Sequence, residues 1–400
     1  MLGFGGYLYV WLCIGLWGFN LRVSGFEVFV VETTPPYRGG RYWTFLKLVT
    51  DEGVEGVGEL TALAAVGREV SNVKLLEDLC RRYVVGSDPF RIEHLMHRMY
   101  TYDHDFRHPD LTVMSAVSAI EIACWDIIGK YLRQPIYNLL GGVYNERLKA
   151  YSYIPEGEGW RRLTPEEAAD KALQVVRRGF KALKLDPFPP LYPSPRDISI
   201  EEINHARKVL RSIRDAVGDG VEICIGTHGQ LTTYSAIRVA KMLEEFNPLW
   251  FEEPVPPENV DEMARVAAHT KIPIAAGERR VTKYEFLELL QKHAAQIIQM
   301  DVGRCGGILE SKKIASMAEA HYASIAPHMY FGPVVLAATT QLDVCSPNFL
   351  MQEFNVMDFH NLILKTPIKL EEGYIIPPKE PGLGVELRED VILEHLHKPS

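Results

Sequence analysis

The chain has 400 residues, 47% of them hydrophobic and 24% charged, with a formal charge of -9. That balance is a folded enzyme's rather than a disordered protein's, and the length suits a barrel with a second unit. The acidic excess argues against nucleic acid as the main partner, since there is no surplus of Lys and Arg to release phosphate counterions.

The first twenty residues, MLGFGGYLYVWLCIGLWGFN, are apolar and aromatic. They lack the basic region and the small-x-small cleavage site of a secretory signal. We read residues 1–20 as an extension preceding the domain, with a membrane anchor as the alternative reading on apolar length. The six cysteines show no CxxC pairing and most sit in apolar runs, as expected of reduced core thiols in a cytoplasmic protein.

From Leu21 the pattern RVSGFEVFVVET, YWTFLKLVT and VEGVGEL, with a turn at Asp51-Glu52-Gly53, predicts antiparallel strands. Residues 70–142 follow as helices, with TVMSAVSAIEIACWDIIGKYL spaced as a core helix. Residues 21–145 thus form an α+β unit. From residue 146 to 358, strand-length apolar runs alternate with amphipathic helices: KAYSYI, KALKL, EICIG, PLWFE, PIAAG, QIIQMD, ASIAP and NFLMQ. Thr164/Glu167, Ser199/Glu202 and Thr282/Glu285 have capping-box spacing. Eight such alternations predict a closed parallel α/β barrel, with its chemistry at the C-terminal strand ends. An open doubly wound sheet is the competing fold, but no GxGxxG opens the first unit.

The strand ends then read as one surface. Lys184 and Asp186 follow the second strand, His228 the third, and Glu252 and Glu253 the fourth. Glu278 follows the fifth, Asp301 the sixth, His328 the seventh and Glu353 the eighth. Any one of these is readily a turn residue, a cap or a satisfied polar group. The set is harder to explain that way, because barrel interiors are filled with apolar side chains. Glu252 and Glu278, on adjacent strands, offer hard oxygen ligands suited to Mg²⁺. Asp301 and His328, also adjacent, suit a carboxylate–imidazole dyad serving as general base. A metal facing a base is an arrangement for removing a proton next to a carboxylate.

WFEEPVPPENVDE, AAGERR, IIQMDVGRCGGILESKKIASMAEA, IAPHMYFGP and FLMQEF resemble the enolase superfamily, mandelate racemase subgroup. KALKLDPF and THGQ further resemble its acid-sugar dehydratases of the gluconate and galactonate kind. The resemblance runs from about residue 21 to the end. It implies a modified (β/α)7β TIM barrel with an α+β N-terminal capping domain, on which the C-terminal segment 360–400 packs. It also implies Mg²⁺ as cofactor, a small sugar-acid substrate and a homo-oligomer, with no membrane partner. Residue by residue, it implies Glu252 and Glu278 as metal ligands, His328 with Asp301 as the base for the C2 proton, and His228 as the acid for the 3-hydroxyl. Glu353 would contact the substrate carboxylate. Lys184 matches the first lysine of the racemases' KxK pair, whose second position is here Asp186.

One departure stands out. The family places a carboxylate ligand two residues before the histidine, where this chain has Gly226. Asp186, on the neighbouring strand, is the candidate replacement ligand, with water as the other. The capping loops TTPPYRGGRYW (33–43) and TALAAVGRE (61–69) should set specificity, with Arg38, Arg41 and Tyr42 as candidate substrate contacts. The expected activity is a Mg²⁺-dependent sugar-acid dehydratase. A racemase or cycloisomerase using Lys184, a metal-free Schiff-base enzyme using Lys184, and a non-catalytic descendant with a weakened metal site are the alternatives.

Overall fold

The computed structural model describes residues 21–61, 69–101, 110–154, 162–188 and 193–397. Residues 1–20, and 62–68 of the second capping loop, therefore lie outside the described residues. The β-branched and aromatic runs at the start form β1 (Val23–Glu32), β2 (Tyr42–Thr50) and β3 (Glu55–Leu60), an antiparallel sheet in that order. The β2–β3 turn falls at Asp51-Glu52-Gly53, where Gly53 has φ +77°.

Helices α1 (Glu69–Leu79), α2 (Ile92–Tyr100), α3 (Leu111–Leu132) and α4 (Ile136–Leu139) complete this unit. Asp110 caps α3 by accepting from Val113 N at 2.9 Å. The helix lies hard against β3, because a Cβ at Gly56 or Gly58 would overlap the carbonyls of Ala123 and Ala119. Although α3 is long and apolar enough to cross a membrane, it is buried in the protein as a core helix.

The alternation beyond residue 146 forms seven βα units and a last strand. These are β4 (Leu148–Tyr153), α5 (Pro165–Arg177), β5 (Ala182–Leu185), α6 (Ile200–Val217), β6 (Glu222–Gly226), α7 (Thr233–Leu243), β7 (Trp250–Glu252) and α8 (Val260–Ala267). They continue as β8 (Ile274–Ala276), α9 (Thr282–Gln291), β9 (Ile297–Ile298), α10 (Gly307–Ala320), β10 (Ser324–Ile325), α11 (Pro333–Val344) and β11 (Gln352–Glu353). The strands pair in parallel from β4 to β10. The barrel closes through β11 on β4 and an Ile325–Phe349 bridge.

Capping boxes open α5 at Thr164/Glu167 and α6 at Ser199/Glu202 as expected. The third does not form. Thr282 has φ +58°, away from the extended backbone of a cap, and Glu285 instead accepts from Val281 N at 2.8 Å.

The C-terminal segment serves both units rather than the cap alone. After α12 (Asp358–Leu362), the hairpin of β12 (Lys369–Glu371) and β13 (Tyr374–Ile376) pairs antiparallel with the start of β4. That stretch, Leu148–Lys149, precedes the residues that pair with β11, so its edge is otherwise open. The chain then crosses α13 (Glu389–Glu394) to reach β1, where His397 N donates to Val30 O at 2.8 Å.

Candidate active site

Side chains alternate along a strand, so a residue two beyond a core residue points the same way, one layer higher. The barrel's central layer takes one residue from each strand or its edge: Tyr151, Ala182, Cys224, Trp250, Ala275, Ile297, Ala326 and Met351. Two large rings, Tyr151 and Trp250, meet edge-on at 5.2 Å and fill the space left by the alanines. Two residues further along stand Tyr153, Lys184, Gly226, Glu252, Gly277, Gln299, His328 and Glu353. Lys184, Glu252, His328 and Glu353 are thus in the layer directly above the core, with Glu253 and Glu278 each one residue beyond it. Asp186, His228 and Asp301 sit one step higher again.

Lys184 and Glu252, each 1% exposed, form a close ion pair through Nζ and Oε1. The other Glu252 oxygen accepts from Gln299 Nε2 at 2.7 Å and Trp250 Nε1 at 3.1 Å. Burial opposes a charge on Lys184, but Glu252, Glu353, Glu278 and Asp186 outweigh it and hold the ammonium well above its ordinary pKa. Lys184 thus stands in this site as an ammonium paired with Glu252.

His328 Nδ1 lies 2.7 Å from Asp301 Oδ2, and Asp301 Oδ1 accepts from Gly303 N at 2.9 Å. A carboxylate only accepts, so Nδ1 carries the proton and Nε2 is left facing the cavity, 3.7 Å from Glu278 Oε2. Burial disfavours the imidazolium, yet Glu278 and Asp301 raise the His328 pKa to about 9. Glu278 moves the opposite way. Burial would raise it, but His328, His228 and Lys184 together hold it well below the carboxylate range. Glu353 Oε2 accepts from Met329 N at 3.0 Å and its Oε1 from Asn355 Nδ2 at 2.8 Å, so it is fixed beside the His328 loop.

His228 faces the mouth from a left-handed backbone, φ +49°. That conformation is unusual for a side chain with a Cβ and is held by neighbours. Thr227 Oγ1 donates to the carbonyls of Glu252 and Glu253, and Gly229 N donates to Glu253 O at 2.7 Å. Glu253 also has positive φ, +39°, and its carboxylate pairs with Arg279 at 2.6 Å. His228 Nδ1 sits 2.7 Å from Asp186 Oδ2. Asp186, followed by Glu278, raises its pKa to about 10.

The capping loop's candidates do not join this cluster together. Trp43, the residue after Tyr42, turns inward and donates to Arg38 O at 3.2 Å. Arg38 acts by its charge on His360, whose pKa burial and that charge lower to about 4. Tyr42 lies on the opposite face of β2, its ring 4.3 Å from that of His397, and Arg41 pairs with Glu32 at 2.7 Å. Tyr153, Gln299 and Arg279 are site residues that strand-end reasoning passed over. Tyr153 was legible as the inward position of KAYSYI two beyond Tyr151, but it carries no charge to draw attention.

Among the described residues no three His, Cys, Asp or Glu side chains are arranged to hold a metal ion. Glu252 and Glu278 nonetheless fit a divalent cation. Both are buried hard-oxygen donors reached by the same Lys184 charge, and Mg²⁺ is commonly held by one or two carboxylates with water and substrate supplying the rest. Asp186, the candidate third ligand, has its Oδ2 2.7 Å from His228 Nδ1.

The fold and the paired imidazoles define an acid–base barrel enzyme with a capping domain. Residues 33–141 match the mandelate racemase / muconate lactonizing enzyme N-terminal domain, and residues 167–391 match the enolase C-terminal domain-like family. D-galactonate dehydratase of Ralstonia pickettii (strain 12J) is 37% identical over 370 residues, spanning 90% of this chain and 92% of that protein. A solved structure from Burkholderia SAR-1, assigned to the mandelate racemase/muconate lactonizing enzymes, is 47% identical with a TM-score of 0.90 and covers 94% of each chain. The mandelate racemase/muconate lactonizing enzyme from Sulfitobacter sp. is 42% identical, TM-score 0.90, over 95% of this chain and 96% of that one. The chain belongs to the mandelate racemase/muconate lactonizing enzyme family of the enolase superfamily. It is an enzyme of the hydro-lyase kind.

Proposed function

We propose that this enzyme dehydrates an aldonic or related sugar acid to its 2-keto-3-deoxy acid. The observation that carries the reading is the pair of imidazoles, each with Nδ1 2.7 Å from a carboxylate oxygen and Nε2 left for substrate. Relatives named D-galactonate dehydratase support the substrate class. His328 Nε2 takes the C2 proton. His228 gives its proton to the 3-hydroxyl as the C3–O bond breaks, water leaves, and the resulting enol tautomerises to the ketone. One proton is gained at His328 and one lost at His228, so solvent exchange restores both. Lys184 and Glu353 face the substrate's carboxylate end, Lys184 as a fixed positive charge. A divalent cation held by Glu252 and Glu278 would supply further positive charge opposite the substrate carboxylate as negative charge builds at C2.

The test is a panel of aldonic and uronic acids in D₂O, with and without Mg²⁺, followed by proton NMR. A 2-keto-3-deoxy product carrying solvent deuterium at C3 is expected. Inversion at C2 with the 3-hydroxyl retained would overturn the dehydratase reading in favour of a racemase.

A further inference from the structure

Gly226 is not glycine for its backbone angle, since its φ lies outside the left-handed region. It is glycine for space. A Cβ there would overlap Asp186 Oδ1, and would stand 3.1 Å from Lys184 Cε and 3.3 Å from Tyr153 OH. The volume that a ligand side chain on β6 would fill already holds a carboxylate, and that carboxylate arrives from β5.

We infer that Asp186 is the positioning residue of His228, so that this site works with two carboxylate–imidazole pairs and a two-carboxylate metal site. Asp186 is mostly buried, 11% exposed, while the imidazole it meets is 40% exposed and open to the mouth. Its Oδ2 meets no donor other than His228 Nδ1, and its Oδ1 lies 3.4 Å from the Tyr153 hydroxyl. The carboxylate meets the ring by ion-pair contact at 2.7 Å rather than by an aligned hydrogen bond, and is itself seated by Tyr153. A negative charge beside Nδ1 draws that edge of the ring to the carboxylate, leaves Nε2 toward the substrate and favours the imidazolium that a leaving-group acid must be. The Asp301–His328 pair, four strands on, sets a carboxylate at the same 2.7 Å from Nδ1 but aligned as a hydrogen bond. The two differ in what surrounds them, His328 being closed in and His228 open.

This inference rests on the dehydratase reading, so the test separates the half-reactions. Exchange of the C2 proton needs His328, whereas loss of the 3-hydroxyl needs His228. In Asp186→Asn, C2 exchange in D₂O should stay within a few-fold of wild type, while dehydration falls by about 10²–10⁴-fold, the worth of a positioned acid. KM should change little. A 3-deoxy-3-fluoro analogue, whose fluoride leaves without a proton, should restore turnover. Gly226→Ala keeps the aspartate but pushes it off its seat, and should show the same selective loss. Mg²⁺ binding, read as protection against thermal unfolding, should be unchanged in Asp186→Asn. Weakened Mg²⁺ binding with exchange and dehydration lost together would make Asp186 a ligand and overturn the inference. If wild type neither exchanges nor dehydrates any acid tested, it is the substrate reading that fails. Asp186 is then judged by ¹⁵N NMR of the His228 ring. A proton fixed at Nδ1 that is released in Asp186→Asn supports the pairing, and an unaltered ring signal overturns it.

Discussion

His328 cannot choose its tautomer. Asp301 accepts from Nδ1, and Gly303 N in turn holds Asp301, so the basic nitrogen is fixed toward the cavity. Asp301→Asn would present an amide in place of the acceptor, and His328→Asn would remove the base. Each should lower kcat by about 10²–10⁴-fold and abolish C2 exchange to the same degree, without unfolding the protein. Exchange surviving in either variant would take the pair out of the proton-abstraction step. Lys184 raises a different question, because it neutralises Glu252 at full burial. Lys184→Met leaves that carboxylate without its counter-charge, and breaking a buried pair from one side typically costs about 3–5 kcal/mol. We expect a clear drop in Tm, partly recovered by millimolar Mg²⁺ if the cation binds the same carboxylate. A drop that Mg²⁺ does not touch would place the cation elsewhere.

At the scale of elements, the strand ends were readable because a barrel repeats one geometry eight times. Apolar runs of regular spacing located the strands, and the first polar residue beyond each run located the mouth. The last strand was read at NFLMQ, whereas its regular pairing with β4 falls at Gln352–Glu353 and the run meets β10 through the single Ile325–Phe349 bridge. Sequence spacing could not say where Asp186 points. Whether it turns to the cation or to His228 depends on the emptiness above Gly226, which is a property of two adjacent strands together. Nor could spacing give the surroundings of Tyr42: the alternation along β2 turns Trp43 inward, and Tyr42 outward to a histidine near the other end of the chain. The strand pair yields its own prediction. Gly226→Asp alone should fail to add a ligand, because its Cβ overlaps Asp186, and should impair dehydration. Combined with Asp186→Gly, the carboxylate is moved to β6, and Mg²⁺ should bind more tightly than to wild type while dehydration stays low for want of the His228 partner. Isothermal titration with Mg²⁺ decides it. Tighter binding in the single variant would show that β5 and β6 have more room than the structure gives them.

At the scale of the whole molecule, the capping unit grips the barrel through two buried carboxylates placed on helix N-termini. Glu59, on β3, accepts from Gly332 N at 2.6 Å, Val334 N at 3.1 Å and Val335 N at 3.2 Å, at the start of α11. Glu121, on α3, accepts from Ile308 N at 2.7 Å and Leu309 N at 2.9 Å, at the start of α10. Those two helices follow the strands that lead to Asp301 and His328, so the grip falls on the loops that carry the base. Helix N-termini favour a negative charge. Burial nevertheless dominates, raising Glu59 to about 7 and Glu121 to about 8 against the pull of the amides. The sign of the linkage follows. Each acid binds its proton more tightly folded than unfolded, so the stability it contributes is fully present below pH 4.5 and is lost as pH rises through 7 or 8. For Glu59, a rise from 4.5 to about 7 corresponds to about 3 kcal/mol, at roughly 1.4 kcal/mol per unit. Glu59→Gln carries no such proton. Between about pH 5 and pH 9, wild type should therefore lose about 3 kcal/mol of unfolding free energy relative to the variant. Urea unfolding of both proteins at several pH values measures the difference. A wild-type-minus-variant difference that stays flat across that range would mean that the α11 amides keep Glu59 ionised throughout. The cap would then hold the barrel by a permanent charge rather than by one that titrates near neutrality.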